Sequence, residues 1–267
     1  MRTYGQFCPV AQAAEILTER WTPLVIRELL SGSRRFNEIH RGVPLMSSAL
    51  LSERLKSLER CGVVERWSIP DGHGHEYHLT REGEELRPWI ERMGVWGQRW
   101  VRREVTSEDA GPALLMWDMR RSINVERLPN RRIVAYFHYR DVPKGKRSWW
   151  LVLEPPEPDL CLTDPGFGVD LTVRTDAVTM AKVWVGDLGL AGAIRVRRLI
   201  LEGPSDLRGA FPDWLILSPL TKVERSHEAT FVRAARREWS EAGDPRSSEQ
   251  ARQVVSAFVK DHTRKHQ

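Results

Sequence analysis

The spacing of apolar residues over the first hundred positions predicts several helices, a hairpin and one more helix. Leu51, Leu55 and Leu58 recur at the interval of a single helix face, so we expect them in a core. Ser47 or Ser48 is the expected cap of the helix that carries them. The predicted elements are helices over 9–17, 21–30, 36–41 and 48–60, strands over 64–69 and 76–79, and a long helix from 80 to about 103.

The stretch from Arg34 to Thr80 has the order of a DNA-binding module. A short helix and a break at Gly42-Val43-Pro44 lead into the serine-capped helix, and a hairpin with Asp71-Gly72-His73-Gly74 at its tip follows. Two helices packed across a turn, followed by a β-ribbon, can place one helix in the DNA major groove and a loop beside it. The order therefore predicts binding to double-stranded DNA. Thr22, just before Pro23, is the expected N-cap of the second helix.

The last predicted helix of this region carries a wide apolar and aromatic stripe. Such a stripe is too wide for one small domain to cover, so we expect it to form core and a dimer contact rather than a ligand site. Its residues are Leu86, Trp89, Ile90, Met93, Trp96, Gly97 and Trp100.

After an acidic linker over 105–112, the pattern changes to strands mixed with helices. We expect helices over 113–123, 177–185 (capped by Asp176) and 188–193, strands over 132–139, 148–154, 159–162, 169–175 and 195–202, and amphipathic helices over 228–241 and 247–262. This order is typical of an α+β fold and not of a doubly wound parallel sheet. The predicted multi-domain α+β chain has a winged helix-turn-helix domain at 1–106, an α+β domain at 112–222 and a helical tail at 223–267.

Composition adds a location and excludes several kinds of site. The chain has 267 residues, 41% hydrophobic and 29% charged, without an apolar run of the ~20 residues that cross a bilayer. The N-terminus has no apolar stretch typical of a secretory signal, so we expect a cytoplasmic protein without a membrane partner. Three widely spaced cysteines predict neither a disulfide framework nor a metal site. No catalytic or cofactor-binding motif is present, so we expect neither an enzyme nor a cofactor.

Net charge supports DNA binding only weakly. The chain carries a formal charge of +5, but acidic and basic residues are equal in number over 1–110. The local placement of basic residues must therefore carry the argument. The expected DNA contacts are Arg34, Arg35, Ser47, Ser48, Ser52, Arg54, Lys56, His73 and His75.

These residues would contact DNA in different ways, and several of them have an alternative role. A helix N-terminus offers N–H groups and short hydroxyls to phosphates and base edges, and arginine can pair with guanine. The alternatives are that Ser47 only caps its helix, that Arg54 is a solvated charge, and that His73 and His75 are ordinary turn residues.

The first hundred residues resemble the HxlR family of winged helix-turn-helix regulators over about 5–103. The resemblance rests on Cys8-Pro9-Val10, Glu19-Arg20-Trp21-Thr22, Ile26-Arg27-Glu28-Leu29, Arg35-Phe36-Asn37-Glu38-Ile39, Leu51 to Leu58, and Tyr77-His78-Leu79-Thr80 with Gly83. It implies a homodimeric transcriptional regulator whose serine-capped helix enters the major groove, whose hairpin is the wing, and whose first and last helices form the dimer.

The chain departs from this family's pattern at the start of its recognition helix. Many members carry Gln-Lys where this chain has Ser48-Ala49, and an amide where it has Glu53. Direct base reading is therefore expected to be thin, with a larger share for phosphate contacts and DNA shape.

Residues 112–222 resemble a sterol carrier protein 2 domain. The resemblance rests on Trp117-Asp118-Met119-Arg120-Arg121-Ser122, the segment 139–143, Asp164-Pro165-Gly166, and the segments 169–176 and 195–203. It implies an α+β fold with an apolar tunnel for a fatty-acyl-like or sterol-like ligand. The candidate lining residues are Trp117, Phe137, Trp149, Trp150, Trp184 and Leu188; the alternative is that they are core residues.

Cys8 is a candidate redox residue. It precedes Pro9 at the start of the first helix, where the helix dipole favours a thiolate. The resemblance implies a sensing role, because in some HxlR regulators a cysteine here responds to oxidants or electrophiles. The alternative is an inert thiol.

Three functions follow from these patterns. The first is a dimeric transcriptional regulator whose second domain binds a hydrophobic effector that modulates operator binding. The second is a regulator that responds to oxidants through Cys8, with a structural second domain. The third is a lipid-binding carrier that uses its winged domain for protein contacts.

Overall fold

The computed structural model describes residues 3–69, 74–101, 105 and 111–226. Residues within 1–98 and 105–224 belong to one compact unit. A second unit comprises 99–104 and 225–267; in its described part, the Ser226 N–H donates a hydrogen bond to the Arg99 carbonyl (3.0 Å). The predicted tail helices over 228–241 and 247–262 lie outside the described residues.

The winged domain consists of six helices and a two-stranded ribbon. They are α1 (Pro9–Leu17), α2 (Thr22–Leu30), α3 (Phe36–Gly42), α4 (Ser48–Arg60), β1 (Val64–Ser68), β2 (His75–Leu79), α5 (Arg81–Glu84) and α6 (Arg87–Trp100). The strands are antiparallel, with Val64 opposite Leu79. The predicted leucine trio, Leu51, Leu55 and Leu58, is buried against α2 and α3 residues, so that prediction is confirmed.

Two local predictions in this domain are wrong. Thr22 does not cap α2: Trp21 occupies the N-cap position with φ of 78°, and the Thr22 side chain is buried in the first turn. The long helix after Thr80 is broken into α5 and α6 at Glu85 and Leu86. Pro88 lacks the N–H that would continue the ladder to Glu84, which accounts for the break.

The second domain is a five-stranded sheet with helices and 3₁₀ turns. The helices are α7 (Pro112–Arg121), α8 (Ala177–Trp184), α9 (Leu190–Arg195) and α10 (Ser205–Trp214). The strands are β3 (Ile133–Tyr139), β4 (Ser148–Leu153), β5 (Asp159–Cys161), β6 (Leu171–Thr175) and β7 (Ile200–Glu202), and the 3₁₀ turns are Val125–Arg127, Lys144–Lys146 and Pro219–Lys222.

The sheet order is β5-β4-β3-β6-β7, and of these neighbours β3 and β6 are parallel while the others are antiparallel. A sheet of this kind is consistent with the predicted α+β class. The protein has a second hydrophobic core, besides the one in the winged domain. It lies on the sheet face that carries Ala135, Phe137, Leu151 and Val173, and α7, α8 and α10 cover it. Asp176 caps α8 as predicted, since its carboxylate accepts the Thr179 N–H (2.6 Å).

The C-terminal part of this domain differs from its predicted pattern. The expected strand over 195–202 is only Ile200–Glu202, because α9 continues to Arg195 and Arg197 takes a left-handed conformation with φ of 58°. Helix α10 was not predicted, since Gly209 and Pro212 disfavour helix in the sequence; burial of Leu207, Phe211 and Trp214 stabilises it. No helix in the described part of the chain is long and apolar enough to cross a bilayer.

Candidate nucleic-acid interface

The start of α4 presents hydroxyls and backbone N–H groups at the surface. The Ser47 hydroxyl caps the helix by accepting the Leu50 N–H (3.3 Å). Ser48 and Lys56 are exposed and Ser52 is half-exposed, because Leu51 and Leu55 turn the opposite face of α4 into the core. A capped helix with a polar outer face suits insertion into a DNA groove.

Arg54 lies apart from this outer face. Its guanidinium forms an ion pair with Glu19, in the loop before α2, and its side chain is only 13% exposed. Burial lowers the pKa of Arg54. The expected orientation toward solvent or DNA is therefore wrong, and this arginine ties α4 to the α1–α2 loop.

Arg34 and Arg35 precede α3 and also join the wing. The Arg34 carbonyl accepts the Tyr77 N–H (2.8 Å), and Arg35 forms an isolated β-bridge with Glu76. Arg35 is exposed, with its Nε 3.8 Å from the Glu76 carboxylate. The Arg34 guanidinium is half-buried and donates to the Leu29 carbonyl (2.7 Å). Arg35 thus stays at the surface, whereas the Arg34 guanidinium is used within the fold.

The wing contains one surface residue that sequence reasoning missed. Trp67 on β1 is 52% exposed and stacks on His78 of β2, with ring centroids 4.1 Å apart. The signal was the aromatic residue in an otherwise polar strand. His75 is exposed at the start of β2, while His73 lies outside the described residues.

The six residues predicted to line an apolar tunnel do not surround one common space. Phe137, Trp149 and Trp184 belong to the second core, and Leu188 packs against it. Trp150 lies on the opposite sheet face beside Tyr136, because neighbouring strand residues alternate in direction. Trp117 lies outside both cores.

Trp117 instead faces the winged domain from α7. Its ring lies under the guanidinium groups of Arg41 on α3 (5.3 Å) and Arg120 on its own helix (5.0 Å). The ring quadrupole attracts both cations, so this indole contacts charged groups rather than an apolar space.

A buried ion-pair network joins the two domains at the same place. Glu28 of α2 is fully buried and accepts hydrogen bonds from Arg121 of α7 (2.7 Å) and from Arg27 (2.6 Å). Arg27 also donates to the Gly42 carbonyl at the end of α3 (3.0 Å). Arg121 pairs in addition with Asp118, where burial raises the pKa of the carboxyl more than the arginine lowers it.

Gly42 is required by this packing. A Cβ at this position would collide with the Glu28 carboxyl group. The sequence indicates Gly42 only as a helix break and Glu28 only as part of a family motif. Local patterns reveal neither the contact between these two residues nor the Arg121 partner of Glu28, 93 positions away.

Cys8 occupies the N-cap position of α1 and is half-buried. Its carbonyl accepts the Gln12 N–H (3.1 Å). Its thiol thus lies at the positive end of a nine-residue helix.

Comparison with known proteins identifies the winged helix-turn-helix region. A family model described as HxlR-like helix-turn-helix matches residues 16–105. The HTH-type transcriptional regulator YvaP of Bacillus subtilis (strain 168) is 42% identical over 99 residues, which cover 36% of this chain and 92% of YvaP. YodB of the same organism, also an HTH-type transcriptional regulator, is 36% identical over 94 residues, 34% of this chain and 84% of YodB.

Solved structures give the same kind of partial match. The reduced form of YodB from B. subtilis is 36% identical and covers 35% of this chain and 93% of that chain, with a TM-score of 0.32. The redox regulator HypR in its oxidized form is 30% identical and covers 37% and 100%, with a TM-score of 0.34. Because YvaP is matched at 42% identity over nearly its whole length, the chain belongs to the HxlR family of helix-turn-helix transcriptional regulators.

Proposed function

We propose that this regulator binds operator DNA as a homodimer, with α4 in the major groove and the β1–β2 ribbon as its wing. The observation that carries the proposal is the Ser47-capped α4, whose outer face presents Ser48, Ser52 and Lys56 while its inner face is locked in the core. The isolated bridge between Arg35 and Glu76 fixes the wing against the start of α3, so groove and flank are engaged by one rigid body.

Exposed apolar side chains support the homodimer. Neither α1 nor α6 contains a buried residue. Val10 on α1 is 76% exposed, and on α6 Trp96 is 61% exposed beside the half-exposed Met93. Large apolar side chains clustered on the outer helices of a small domain favour a protein partner, and a second copy of the chain offers the same surface in return.

Base reading by α4 is modest in this proposal. The exposed face of the helix mixes Lys56 and Arg60 with Glu53, and Arg54 is held by Glu19. Phosphate contacts and sequence-dependent DNA shape therefore contribute a large share of specificity, and the dimer supplies two helices at a fixed spacing.

Salt-dependent duplex binding tests DNA recognition. A fluorescent duplex from the region upstream of the protein's own gene is titrated with the full chain at several salt concentrations. We expect affinity to fall steeply with salt, and Lys56→Gln to weaken binding and reduce the salt slope by about 1 per chain. Lys222→Gln, an exposed lysine of the second domain, is the matched control.

Failure of this test has a definite meaning. Binding that is absent at low salt, or that Lys56→Gln and Lys222→Gln weaken equally, would reject the proposed interface. The first result would favour a carrier protein whose winged domain contacts other proteins.

The second domain is proposed to control operator binding in response to an effector. The buried contact of Arg121 with Glu28 connects α7 to α2, and Arg27 extends it to the end of α3. A movement of α7 therefore reaches the helix-turn-helix. A fatty-acyl-like or sterol-like effector acts only if it binds the two states unequally. Titrating such ligands while following duplex affinity tests it, and an unchanged affinity with a bound ligand would reject control by that class.

Control through Cys8 is the second candidate, favoured by the position of this thiol at the N-cap of α1, next to the exposed apolar residues of that helix. Oxidation there would alter the proposed dimer contact. We expect diamide to lower operator affinity in the wild type and not in Cys8→Ser. Equal loss in both proteins would exclude Cys8 as the sensor.

A further inference from the structure

A polar cavity of about 340 Å³ lies where the loop between α2 and α3 meets α7. Its walls come from both domains. Arg34 and Arg35 belong to the winged domain, and Trp117, Arg120 and Arg121 to the second domain. A space of this size accommodates a small metabolite, and the guanidinium groups around it favour an anion.

Two residues that line this cavity each carry a buried hydrogen-bond donor without an acceptor. Among the described residues, the Trp117 indole N–H and the Arg120 Nε–H are covered by neighbouring atoms and have no hydrogen-bond partner. A buried donor without an acceptor is unfavourable. Both residues belong to adjacent turns of α7 and line the same cavity, with the two donor atoms covered behind its wall.

The carboxylates around the cavity are already engaged. Glu38 accepts the backbone N–H groups of Arg34 (2.9 Å) and Arg35 (3.0 Å). Glu76 lies 3.1 Å from His78, and Glu157 pairs with Arg120 (2.8 Å) from a position where its own side chain is 73% exposed. Glu76 and Glu157 thus contact side chains at the rim, and Glu38 serves the backbone.

Arg34 adds a guanidinium that is not paired with a carboxylate. Its guanidinium donates to the carbonyls of Leu29 (2.7 Å) and Ser33 (3.5 Å), and no carboxylate in the described part of the chain pairs with it. The lining thus contains four arginines and three glutamates, and its hydrogen-bond donors exceed its free acceptors.

We propose that the cavity binds a small oxyanion, a carboxylate or phosphate group carried by a small metabolite, which supplies the missing acceptors. The proposal rests on the proposed regulatory function, because an anion between Arg34 and Arg120 joins the segment before α3 to α7. The Trp117 and Arg120 donors are covered at present, so an acceptor reaches them only after the covering side chains move. The anion thereby favours one arrangement of the junction over another, as effector control requires.

Calorimetric titration of the full-length protein tests this site. The probes are sodium succinate, sodium benzoate and sodium phosphate, each compared with sodium chloride at equal ionic strength to remove general screening. We expect one carboxylate or phosphate to bind once per chain. Trp117→Phe keeps the ring and removes the N–H, and Arg34→Gln removes the charge; each should weaken binding by about tenfold.

Arg208→Gln, an exposed arginine on α10 away from this cavity, should leave binding within about twofold and serves as the control. Thermal unfolding checks that the variants fold; Arg34→Gln carries the test if Trp117→Phe does not. Binding of the carboxylates alone or of phosphate alone identifies the group. The proposal is overturned if no probe binds, or if all variants bind like the wild type.

Duplex binding is measured on the same samples. Retained duplex binding without anion binding rejects this site and leaves the regulatory function standing, whereas anion binding without duplex binding rejects the regulatory function alone.

Discussion

The two cores of this protein differ in how completely their own chain covers them. In the winged domain, the outer helices α1 and α6 contain no buried residue, although α2, α3 and α4 enclose a tight core. In the second domain, α7, α8 and α10 each bury several side chains on the sheet. The outer helices of the winged domain thus keep exposed side chains, as the proposed dimer requires, whereas the helices of the second domain complete its core.

Core substitutions give the largest effects and test whether the two cores are independent. We expect Leu55→Ala to cost about 2 to 5 kcal/mol and Phe211→Ala about 3 to 5 kcal/mol, since both side chains are buried. Hydrogen exchange read on peptides from each domain should show Leu55→Ala loosening α2–α4 and Phe211→Ala loosening the sheet. Equal loosening of both domains by either variant would show one cooperative core and break the comparison.

The junction between the cores is the next largest target. Arg121→Ala should cost about 3 kcal/mol, because it leaves the buried Glu28 carboxylate with Arg27 as its remaining partner. Denaturant unfolding measures the loss. Arg131→Ala, which breaks the exposed pair with Asp170, should cost about 1 kcal/mol or less. Similar losses in the two variants would contradict a buried, structural role for Arg121.

The exposed side chains Met93 and Trp96 of α6 should affect the free energy of the proposed self-association and not that of folding. Trp96→Ala is expected to weaken self-association by about 2 kcal/mol, as large apolar contacts at interface centres do. Sedimentation equilibrium measures it. Leu162→Ala, an exposed leucine after β5, should change association little. Unchanged association of Trp96→Ala would place the partner contact elsewhere.

The cap of α4 should have a smaller effect. Ser47→Ala removes the acceptor of the Leu50 N–H and should lower stability by about 1 kcal/mol. Ser48→Ala is the matched control, because the exposed Ser48 is the first residue inside the helix and does not cap it. Thermal unfolding compares the two. A larger loss of stability for Ser48→Ala would show that Ser48, and not Ser47, caps α4.

Asp118 gives the smallest effect, a pH dependence at the junction. Burial raises the pKa of Asp118 above its ordinary 3.8 despite Arg121 and Arg27. The folded state therefore binds this proton more tightly than the unfolded chain. Stability falls as pH rises from the pKa of Asp118 in the unfolded chain to its higher pKa in the folded state. Asp118→Asn should remove that fall, measured as the difference in unfolding free energy across pH. Identical pH profiles would contradict the raised pKa.

Local patterns in the sequence predicted most elements but not the contacts between distant segments. The leucine spacing predicted the inner face of α4. Asp176 was predicted as a cap and the α4 cap was narrowed to Ser47 or Ser48, because capping depends on neighbours a few positions away. The predicted orientation of Arg54 was wrong, because its partner Glu19 lies in the loop before α2.

Prediction of the site residues was also limited to what local patterns show. Trp149 and Trp150 are adjacent in sequence but lie on opposite sheet faces, so a list of aromatic residues could not define one pocket. The outer face of α4 was predictable from helical periodicity. The Glu28–Arg121 contact was not, because it depends on how two segments 93 positions apart in the sequence pack together.

The close approach of Gly42 to Glu28 has a genetic consequence. One added methyl group at Gly42 displaces the carboxylate on which the junction depends, while Ser48, Ser52 and Lys56 stay as they are. Under the proposed control through this junction, a selection for mutants that still occupy their operator but no longer respond to an effector should return changes at this glycine. Such alleles would retain DNA binding and lose only its regulation.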